Sequence, residues 1–313
     1  MEKTQKGTKI NVAPIENDQD PLDHFSNYLQ LEKKYSLHTV KAYQTDLKDF
    51  RRFLADAFEM DDVLDINYPM IRSWIVFLVD RGVSNRTVNR KISSLNSFYR
   101  FLLKTKQISE NPLAMHTTLK TSTKIQIPFS ENEIQGVMDL LDGDTSYEGK
   151  RDRLIVELFY SSGIRRAELM NIKLNDFSEA QKLIKIRGKG NKERFVPLLP
   201  GVVNSLTSYL KIRGQLENIV DGDYLFLTSK GVKIYENLVY RVINFYFSRI
   251  SEKTKKSPHI LRHSFATHLL NEGADINSVK ELLGHASLAS TQVYAQNSIA
   301  RLKEVYRKAH PRN

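Results

Sequence analysis

Apolar side chains recur at steps of three and four residues from Pro21 to about Ser109, with charged residues between them. An α-helix turns once in 3.6 residues, so this spacing places the apolar side chains along one face of each helix. Four helices fit the pattern, with the second beginning after Ser36 and the fourth after Ser84. The stretch therefore predicts an all-helical domain whose core is formed by the apolar faces.

The chain is long enough for two domains, and its composition changes between them. A chain of 313 residues is longer than a domain with a single hydrophobic core usually is. Residues 111–127 combine a helix-stopping Asn-Pro pair with many threonines and serines, and they show no sustained period. We therefore expect a flexible polar tail over residues 1–20, a helical domain over 21–110, a linker over 111–127 and a second domain over 128–313.

The charge and the missing residue types narrow the possible functions. The formal net charge is +11, which favours a polyanionic partner such as nucleic acid, although a basic surface without a ligand fits the charge equally well. The chain has no cysteine, so disulfides, thiolate metal sites and cysteine nucleophiles are excluded. It has no run of about 18 apolar residues, and its polar N-terminus lacks the apolar core of a secretion signal. We therefore expect a cytoplasmic protein without a membrane partner.

The second domain combines helix signals with one strong hairpin signal. Ser130 and Glu133 have the spacing of a capping box before a helix. The segment RDRLIVELFYSSG predicts a helix that stops at Gly163. The segment KLIKIRGKGNKERFVPL alternates apolar and polar residues around a glycine-rich centre, which predicts a β-hairpin. The chain is therefore expected to be mainly α-helical with a small β-sheet, and the second domain to be mixed α+β.

Arg165 lies directly after the predicted helix break, and Glu168 follows three residues later. An arginine at a helix junction has its planar fork fixed in space, which favours bidentate binding of phosphate oxygens. Glu168 has the spacing at which it can orient this guanidinium from the same helical face. We interpret the neighbouring Arg166 as a surface residue.

Three histidines in the segment SPHILRHSFATHLL raise the question of a metal site. The string HILRH lacks the glutamate that a zinc-protease helix needs as a base, and His268 leaves the helical face shared by His259 and His263. We therefore predict no metal. His259 and Arg262 are three residues apart on a helix, so their imidazole and guanidinium groups can meet one phosphate.

The first domain carries cations on the helix faces opposite its apolar stripes. These cations lie on the second and fourth helices, where they could follow DNA phosphates or enter a groove. A merely solvated charged face is an equally good interpretation of each one. The candidate DNA-binding residues are Lys41, Lys48, Arg51, Arg86, Arg90 and Lys91.

Five short strings follow one another in the second domain: GIR, GKG, HILRH, LGH and TQVY. In this order and spacing they resemble the motifs of the tyrosine recombinase (phage integrase) family. The resemblance extends over nearly the whole chain after the tail, and within the family it points to the Xer group. It implies a helical, SAM-like core-binding domain of four or five helices followed by a tyrosine recombinase catalytic domain.

The resemblance also implies roles for individual residues. In the family, cationic and imidazole side chains gather around a DNA phosphate that a tyrosine attacks. Lys185 and Lys192 are rivals for the lysine of this set, but the family pattern places its lysine between the two glycines of GKG. The implied catalytic residues are Arg165, Lys189, His259, Arg262, His285 and the nucleophile Tyr294.

The function implied by the resemblance is site-specific recombination of double-stranded DNA through a 3′-phosphotyrosine intermediate, without a cofactor. Xer-type resolution of chromosome dimers at cell division is the expected role. The expected assembly is a homo- or heterotetramer on DNA, with a second recombinase and a DNA translocase as further partners. An integrase of a phage or transposon shares this chemistry and stays open as an alternative. A type IB topoisomerase fits the two-domain layout less well, and a non-catalytic DNA-binding regulator would not need an intact catalytic set.

Overall fold

The structure is a computed structural model that describes residues 20–122, 126–188 and 192–284. The chain divides into two compact units, Met1–Lys124 and Ile125–Asn313. Each unit has a hydrophobic core built from its own residues. The described residues are mainly helical with one three-stranded sheet, which confirms the predicted fold class. None of the described helices has both the length and the apolar composition needed to cross a bilayer.

The described part of the first unit contains the four predicted helices. They are α1 (Pro21–Asn27), which continues as a π-helical turn over Tyr28–Glu32, α2 (Leu37–Phe58), α3 (Tyr68–Asp80) and α4 (Asn85–Lys104). The Ser36 and Ser84 hydroxyls accept hydrogen bonds from the backbone N–H groups of Thr39 and Thr87, at 3.3 and 3.4 Å. These bonds satisfy donors that the first turn of a helix leaves free, so the two serines fix where α2 and α4 begin.

Aromatic rings fill the centre of the first unit. Phe50 packs against Trp74 with ring centroids 4.9 Å apart, and Phe25 packs against Phe98 at 5.4 Å. All four side chains are almost fully buried. Rings of this size remove large apolar areas from water, so they contribute much of the stability of this unit.

A buried carboxylate connects α2 to α4. Asp46 is 2% exposed and accepts hydrogen bonds from Lys91 Nζ (3.3 Å), Ser94 Oγ (2.8 Å) and Arg90. Lys91 also donates to Asp49 Oδ2 at 2.6 Å. Because a buried carboxylate is stable only when it is paired, this network fixes the cationic side of α4 against α2.

Part of the segment predicted as a linker packs on α4. Leu113 is buried in the first core. The Asn89 side chain forms hydrogen bonds of 2.8 and 2.9 Å with the backbone C=O and N–H of Leu119. The first unit therefore extends at least to Leu119.

Seven α-helices make up most of the described part of the second unit. They are α5 (Glu131–Asp142), α6 (Tyr147–Ser162), α7 (Arg166–Met170), α8 (Pro200–Arg213), α9 (Glu236–Ile250), α10 (Pro258–Asn271) and α11 (Ile276–Leu282). The predicted capping box begins α5, because Ser130 Oγ accepts from the Glu133 N–H (3.2 Å) and Glu133 Oε2 accepts from the Ser130 N–H (2.7 Å). The helix α6 is buried along most of its length and leads directly to Gly163.

The sheet of the second unit contains the predicted hairpin. Its strands are β1 (Phe177–Ser178), β2 (Leu183–Arg187) and β3 (Glu193–Pro197), paired antiparallel in the order β1-β2-β3. Ile186 lies opposite Arg194, and the Gly188 N–H donates to the Lys192 carbonyl at 2.7 Å. The tip, residues 189–191, lies outside the described residues, so the structure gives no position for Lys189.

Gly163 ends α6 in the left-handed conformation, with φ of +55°. Its N–H donates to the Phe159 carbonyl at 3.0 Å, as predicted for a helix terminator. A Cβ atom at this position would lie 2.4 Å from Phe265 Cδ1 and 2.8 Å from Leu283 Cδ2. Both the backbone angle and the surrounding space therefore require glycine.

We expect Gly163→Ala to destabilise the second unit by about 1–3 kcal/mol, because alanine resists a positive φ and its methyl group collides with Phe265. Urea unfolding followed by circular dichroism measures the change. Gly143→Ala is the matched control, since Gly143 follows α5 with φ of −77° and no atom lies within 4 Å of its added Cβ. Equal stability of the two variants would contradict this account of Gly163.

Candidate active site

Arg165 immediately precedes α7 and is held there by Glu168. The Arg165 backbone N–H donates to Glu168 Oε2, and its Nη1 donates to Glu168 Oε1, both at 2.9 Å. The Glu168 side chain is buried, whereas the Arg165 side chain is 38% exposed. Glu168 therefore fixes both ends of Arg165 while the guanidinium stays accessible from solvent.

A second arginine, Arg194 on β3, binds the same carboxylate and was not among the sequence candidates. Its Nη1 and Nη2 donate to Glu168 Oε1 and Oε2 at 3.0 and 2.8 Å, which is a bidentate pair. The Arg194 residue is 6% exposed. Gly188, at the base of the hairpin tip, is also close, because a Cβ atom there would lie 3.5 Å from Glu168 Oε1.

Three arginines bind consecutive backbone carbonyls at the end of α11. Arg194 Nε donates to the Leu282 carbonyl (3.2 Å), Arg262 Nη2 to that of Leu283 (2.7 Å) and Arg165 Nη2 to that of Gly284 (3.4 Å). The last carbonyls of a helix lack partners within it and carry partial negative charge, which suits cationic donors. We call Arg165, Arg194 and Arg262 the arginine cluster. It lies at the residue that directly precedes His285.

Burial and the charges of its neighbours both act on the Arg262 guanidinium. Burial and the positive charges of Arg165 and Arg194 lower the pKa of Arg262 to about 10, although the charge of Glu168 opposes the shift. Arg262 also donates to the Gly163 carbonyl, so its guanidinium is fixed between α6 and α11. At neutral pH the group is still protonated, and an anion placed beside it would relieve the repulsion. This electrostatic arrangement suits phosphate binding.

Glu168 stabilises the fold only while it is ionised. Burial alone would raise the pKa of Glu168, but the hydrogen bonds and charge of Arg194, with the hydrogen bonds from Arg165, hold the pKa below its ordinary value of 4.5. A carboxyl group whose pKa is lowered in the folded state stabilises that state fully when the pH is above the ordinary pKa of 4.5. This contribution to the free energy of unfolding is lost as the pH falls through the lower folded-state pKa.

We therefore expect Glu168→Gln to destabilise the protein by about 3 kcal/mol at pH 7, because it leaves Arg194 buried without its counterion. The difference from wild type should shrink as the pH falls below the ordinary value of 4.5 toward the lowered folded-state pKa of Glu168. Urea unfolding of both proteins at pH 7, 5, 4 and 3 measures the trend. If the difference in the free energy of unfolding stays constant over this range, the negative charge of Glu168 does not stabilise the folded protein.

The histidines of α10 have different surroundings. His259 is exposed on the first turn of α10, three residues before Arg262. His268 is buried, and its Nδ1 shares a hydrogen bond of 2.9 Å with the Tyr160 hydroxyl. Within the described ranges no group of three or more histidine, aspartate or glutamate side chains could hold a metal ion.

Three of the six catalytic candidates lie outside the described residues: Lys189, His285 and Tyr294. The other three, Arg165, His259 and Arg262, lie on α10 or directly before α7. Among the rival lysines, Lys185 forms ion pairs with Asp176 (3.8 Å) and Glu193 (3.5 Å), while Lys192 is exposed.

The six DNA-binding candidates of the first unit fall into two groups. Lys41, Lys48 and Arg86 are exposed. Arg51 pairs with Asp20 (2.6 Å) and Asp61 (2.7 Å). Arg90 pairs with Asp46, and Lys91 is buried between Asp46 and Asp49. These aspartates are the ion-pair partners of Arg51, Arg90 and Lys91; the Arg90 side chain is still 52% exposed, whereas Lys91 is buried.

Comparison with known families agrees with this architecture. The chain belongs to the phage integrase family, the tyrosine recombinases, because the profile described as "Phage integrase family" matches residues 128–301. The profile described as "Phage integrase, N-terminal SAM-like domain" matches residues 22–106. The first unit is therefore a SAM-like domain and the second a tyrosine recombinase domain.

Curated relatives narrow the class to the Xer type. Tyrosine recombinase XerC of Chlorobaculum parvum is 37% identical over 315 residues, which cover 93% of this chain and 94% of the relative. Tyrosine recombinase XerC of Anoxybacillus flavithermus is 39% identical over 301 residues, covering 95% and 100%. The chain is accordingly a site-specific DNA recombinase of the Xer type.

Solved structures share the fold. The XerH site-specific recombinase bound to a palindromic difH substrate, in a post-cleavage complex, superposes with a TM-score of 0.69 at 24% identity, covering 90% of this chain and 82% of that one. The integrase of transposon Tn1549 in complex with transposon right end DNA has a TM-score of 0.68 at 19% identity, covering 92% and 99%. At these identities the likeness concerns the fold.

Proposed function

We propose that this recombinase cuts and rejoins double-stranded DNA through a 3′-phosphotyrosine intermediate, with Tyr294 as the nucleophile. The observation that supports the proposal most directly is the arginine cluster at the end of α11. Two of its members, Arg165 and Arg262, occupy the family's motif positions, and the segment after α11 contains the matching His285 and Tyr294.

In this proposal Arg165 and Arg262, with His285, bind the nonbridging oxygens of the scissile phosphate. A pentacoordinate phosphoryl transition state carries more negative charge than the phosphodiester, so fixed cations stabilise the transition state more than the substrate. Preorganised donors of this kind contribute on the order of 3 kcal/mol each.

Proton transfers complete the proposed reaction. Tyrosine has an ordinary pKa of about 10, so Tyr294 must lose its proton during attack, either to His259 or to another base. Attack forms the bond between the tyrosine oxygen and phosphorus and breaks the bond to the 5′ oxygen. Lys189 gives a proton to that leaving oxygen, which departs as a 5′-hydroxyl.

The covalent intermediate determines the fate of the cleaved strand. It conserves the energy of the phosphodiester, so the 5′-hydroxyl of a second strand can displace the tyrosine without ATP. The outcome is strand exchange rather than hydrolysis. Two strands at each of two sites require four subunits, which act as a homo- or heterotetramer.

We propose resolution of chromosome dimers at cell division as the biological role. The XerC relatives at 37–39% identity over most of the chain support this role. In this role a second recombinase and a DNA translocase are the further partners. An integrase of a phage or transposon would use the same catalytic residues, and the two roles differ in the DNA site.

The test uses nicked duplexes that carry either the chromosome-terminus recombination site of the source genome or the same bases in scrambled order. Wild-type protein is mixed with end-labelled DNA, and detergent-resistant adducts are separated on a denaturing gel. Adducts on the first duplex but not on the second support both the chemistry and the Xer role. Adducts confined to a mobile-element end would support the integrase role, and absence of adducts on every duplex would contradict the proposed chemistry.

Exposed lysines and arginines of the first unit are proposed to neutralise DNA phosphates. Lys41 and Lys48 are seven residues apart on α2, so they lie on one face of the helix. Arg86 lies on the exposed first turn of α4.

We expect DNA affinity to fall steeply with salt, because each neutralised phosphate contributes close to one unit to the slope of log affinity against log salt. Lys48→Ala should reduce this slope by about one. Fluorescence anisotropy with a labelled duplex at 50–300 mM salt measures it. Lys104→Ala is the matched control, since Lys104 pairs with Glu32 at 3.5 Å and should leave the slope unchanged. A flat salt response of the wild type would contradict phosphate binding by the first unit.

A further inference from the structure

Arg194 occupies a position that strands normally give to an apolar residue. On β3 it shares the buried face with Val196, while Phe195 between them is 38% exposed. Burying a guanidinium is costly unless it is paired and hydrogen-bonded, and here Glu168 and the Leu282 carbonyl accept three hydrogen bonds from Arg194. The cost indicates a role beyond packing, and that role rests on the proposed function.

Glu168 receives two hydrogen bonds from Arg165 and two from Arg194. If Arg165 were the sole partner, this carboxylate would neutralise the charge that the scissile phosphate requires. With Arg194 present, Glu168 has a buried counterion of its own. The arginine cluster and Glu168 together then carry three positive charges and one negative charge, which leaves a net charge of +2.

The net charge of +2 balances the negative charge of the transition state. A phosphodiester carries one negative charge, and its pentacoordinate transition state carries two. Arg194 is too deeply buried to contact DNA, but its charge is felt at the site, since it helps to lower the pKa of Arg262. Loss of Arg194 would leave a net charge of +1 and would weaken binding of the transition state more than binding of the substrate.

We propose that Arg194 is a positioning residue that serves as the counterion of Glu168, so that Glu168 orients Arg165 without cancelling its charge toward the phosphate. Arg165 and Arg262 then meet the dianionic transition state with their full charge. Arg194 acts through Glu168 and through the charge that it adds to the arginine cluster, and it makes no contact with the reacting atoms.

The test compares two nicked duplexes that differ only at the scissile position. One has the ordinary phosphate, and the other has a methylphosphonate, whose transition state carries one negative charge fewer. For wild type and Arg194→Met we measure the single-turnover rate of adduct formation on both duplexes and the DNA dissociation constant. Arg213→Met is the matched control, because Arg213 is also 6% exposed and donates to the carbonyls of Gly222, Tyr224 and Leu225 away from the cluster.

We expect Arg194→Met to slow adduct formation on phosphate about 100-fold, with the DNA dissociation constant changed by less than about threefold. On methylphosphonate the loss should be smaller by about tenfold, because one transition-state charge is gone. Arg213→Met should change both rates by the same factor. Arg194→Gln removes the same charge while keeping an N–H donor, so it replaces Arg194→Met if that variant does not fold.

An equal loss on the two duplexes for an Arg194 variant would overturn the proposal, because a purely structural role does not depend on substrate charge. The proposed function is tested separately by the wild type. If the wild type forms no adduct on phosphate, the proposed chemistry fails and the inference fails with it. If the wild type forms adducts but the Arg194 variants lose the same factor on both duplexes, the inference alone fails.

Discussion

Replacing Tyr294 by phenylalanine is expected to abolish covalent protein–DNA adducts while DNA affinity stays within about twofold of wild type. The substitution removes the single oxygen that attacks phosphorus and keeps the ring, so binding by the cations is preserved. Because no other group can take the place of a missing nucleophile, we expect adduct formation to fall at least about 10⁴-fold. Denaturing gels of end-labelled nicked duplexes measure the adduct, and anisotropy measures the affinity.

Tyr240→Phe is the control for this experiment, since Tyr240 is an exposed tyrosine of α9 and has no role in the proposed chemistry. It should form adducts at the wild-type rate. Adducts that persist with Tyr294→Phe would place the nucleophile elsewhere. Loss of both binding and adducts would instead assign Tyr294 a structural role.

The second large effect is expected at Arg165. Its guanidinium is accessible and is oriented by Glu168, so Arg165→Ala removes a fixed donor from the proposed phosphate site. We expect adduct formation to slow by about 10²–10³-fold, the usual effect of removing one preorganised donor to a developing charge. Single-turnover rates at saturating protein isolate this effect from DNA binding.

The neighbouring Arg166 provides a matched control. Arg166 pairs with Glu236 at 2.8 Å on the exposed side of α7, away from Glu168. Arg166→Ala should therefore change the rate by less than about twofold, whereas Arg165→Ala changes it strongly. Similar losses in the two variants would mean that Arg165 acts through the stability of α7 rather than through the phosphate.

The helices of the first unit could be predicted because each is amphipathic and two begin at a serine. The periodicity alone places Val40, Leu47 and Phe50 on the buried face of α2, where the structure has them. The hairpin was predictable for a similar reason, because apolar and polar residues alternate on both sides of a glycine-rich centre. Local sequence rules are sufficient to predict a helix or strand when the spacing of its own apolar residues determines its structure.

The buried ion pairs could not be predicted in this way, because they join residues that are distant in sequence. Lys91 was expected on a DNA-binding face, but it pairs with Asp46, which is 45 residues away. One signal was present, since Asp46 lies within the apolar stripe of α2, between Tyr43 and Phe50. A carboxylate at such a position requires a buried cation, and the sequence does not say which one.

Arg194 was missed for the same reason, although its strand carried a hint. Residues of a strand alternate between faces, so Arg194 must share a face with Val196, two positions later. That face is buried, which places a charge inside the unit. Only the tertiary structure shows that Glu168, 26 residues earlier, neutralises it.

Two separate hydrophobic cores affect how such proteins can evolve. Among the described residues, each core consists of apolar side chains of its own unit. A gene fusion that joins the first 124 codons of one relative to the remainder of another would therefore leave each hydrophobic core intact. Shuffling one half of the gene can thus replace one unit while the other unit keeps its own core.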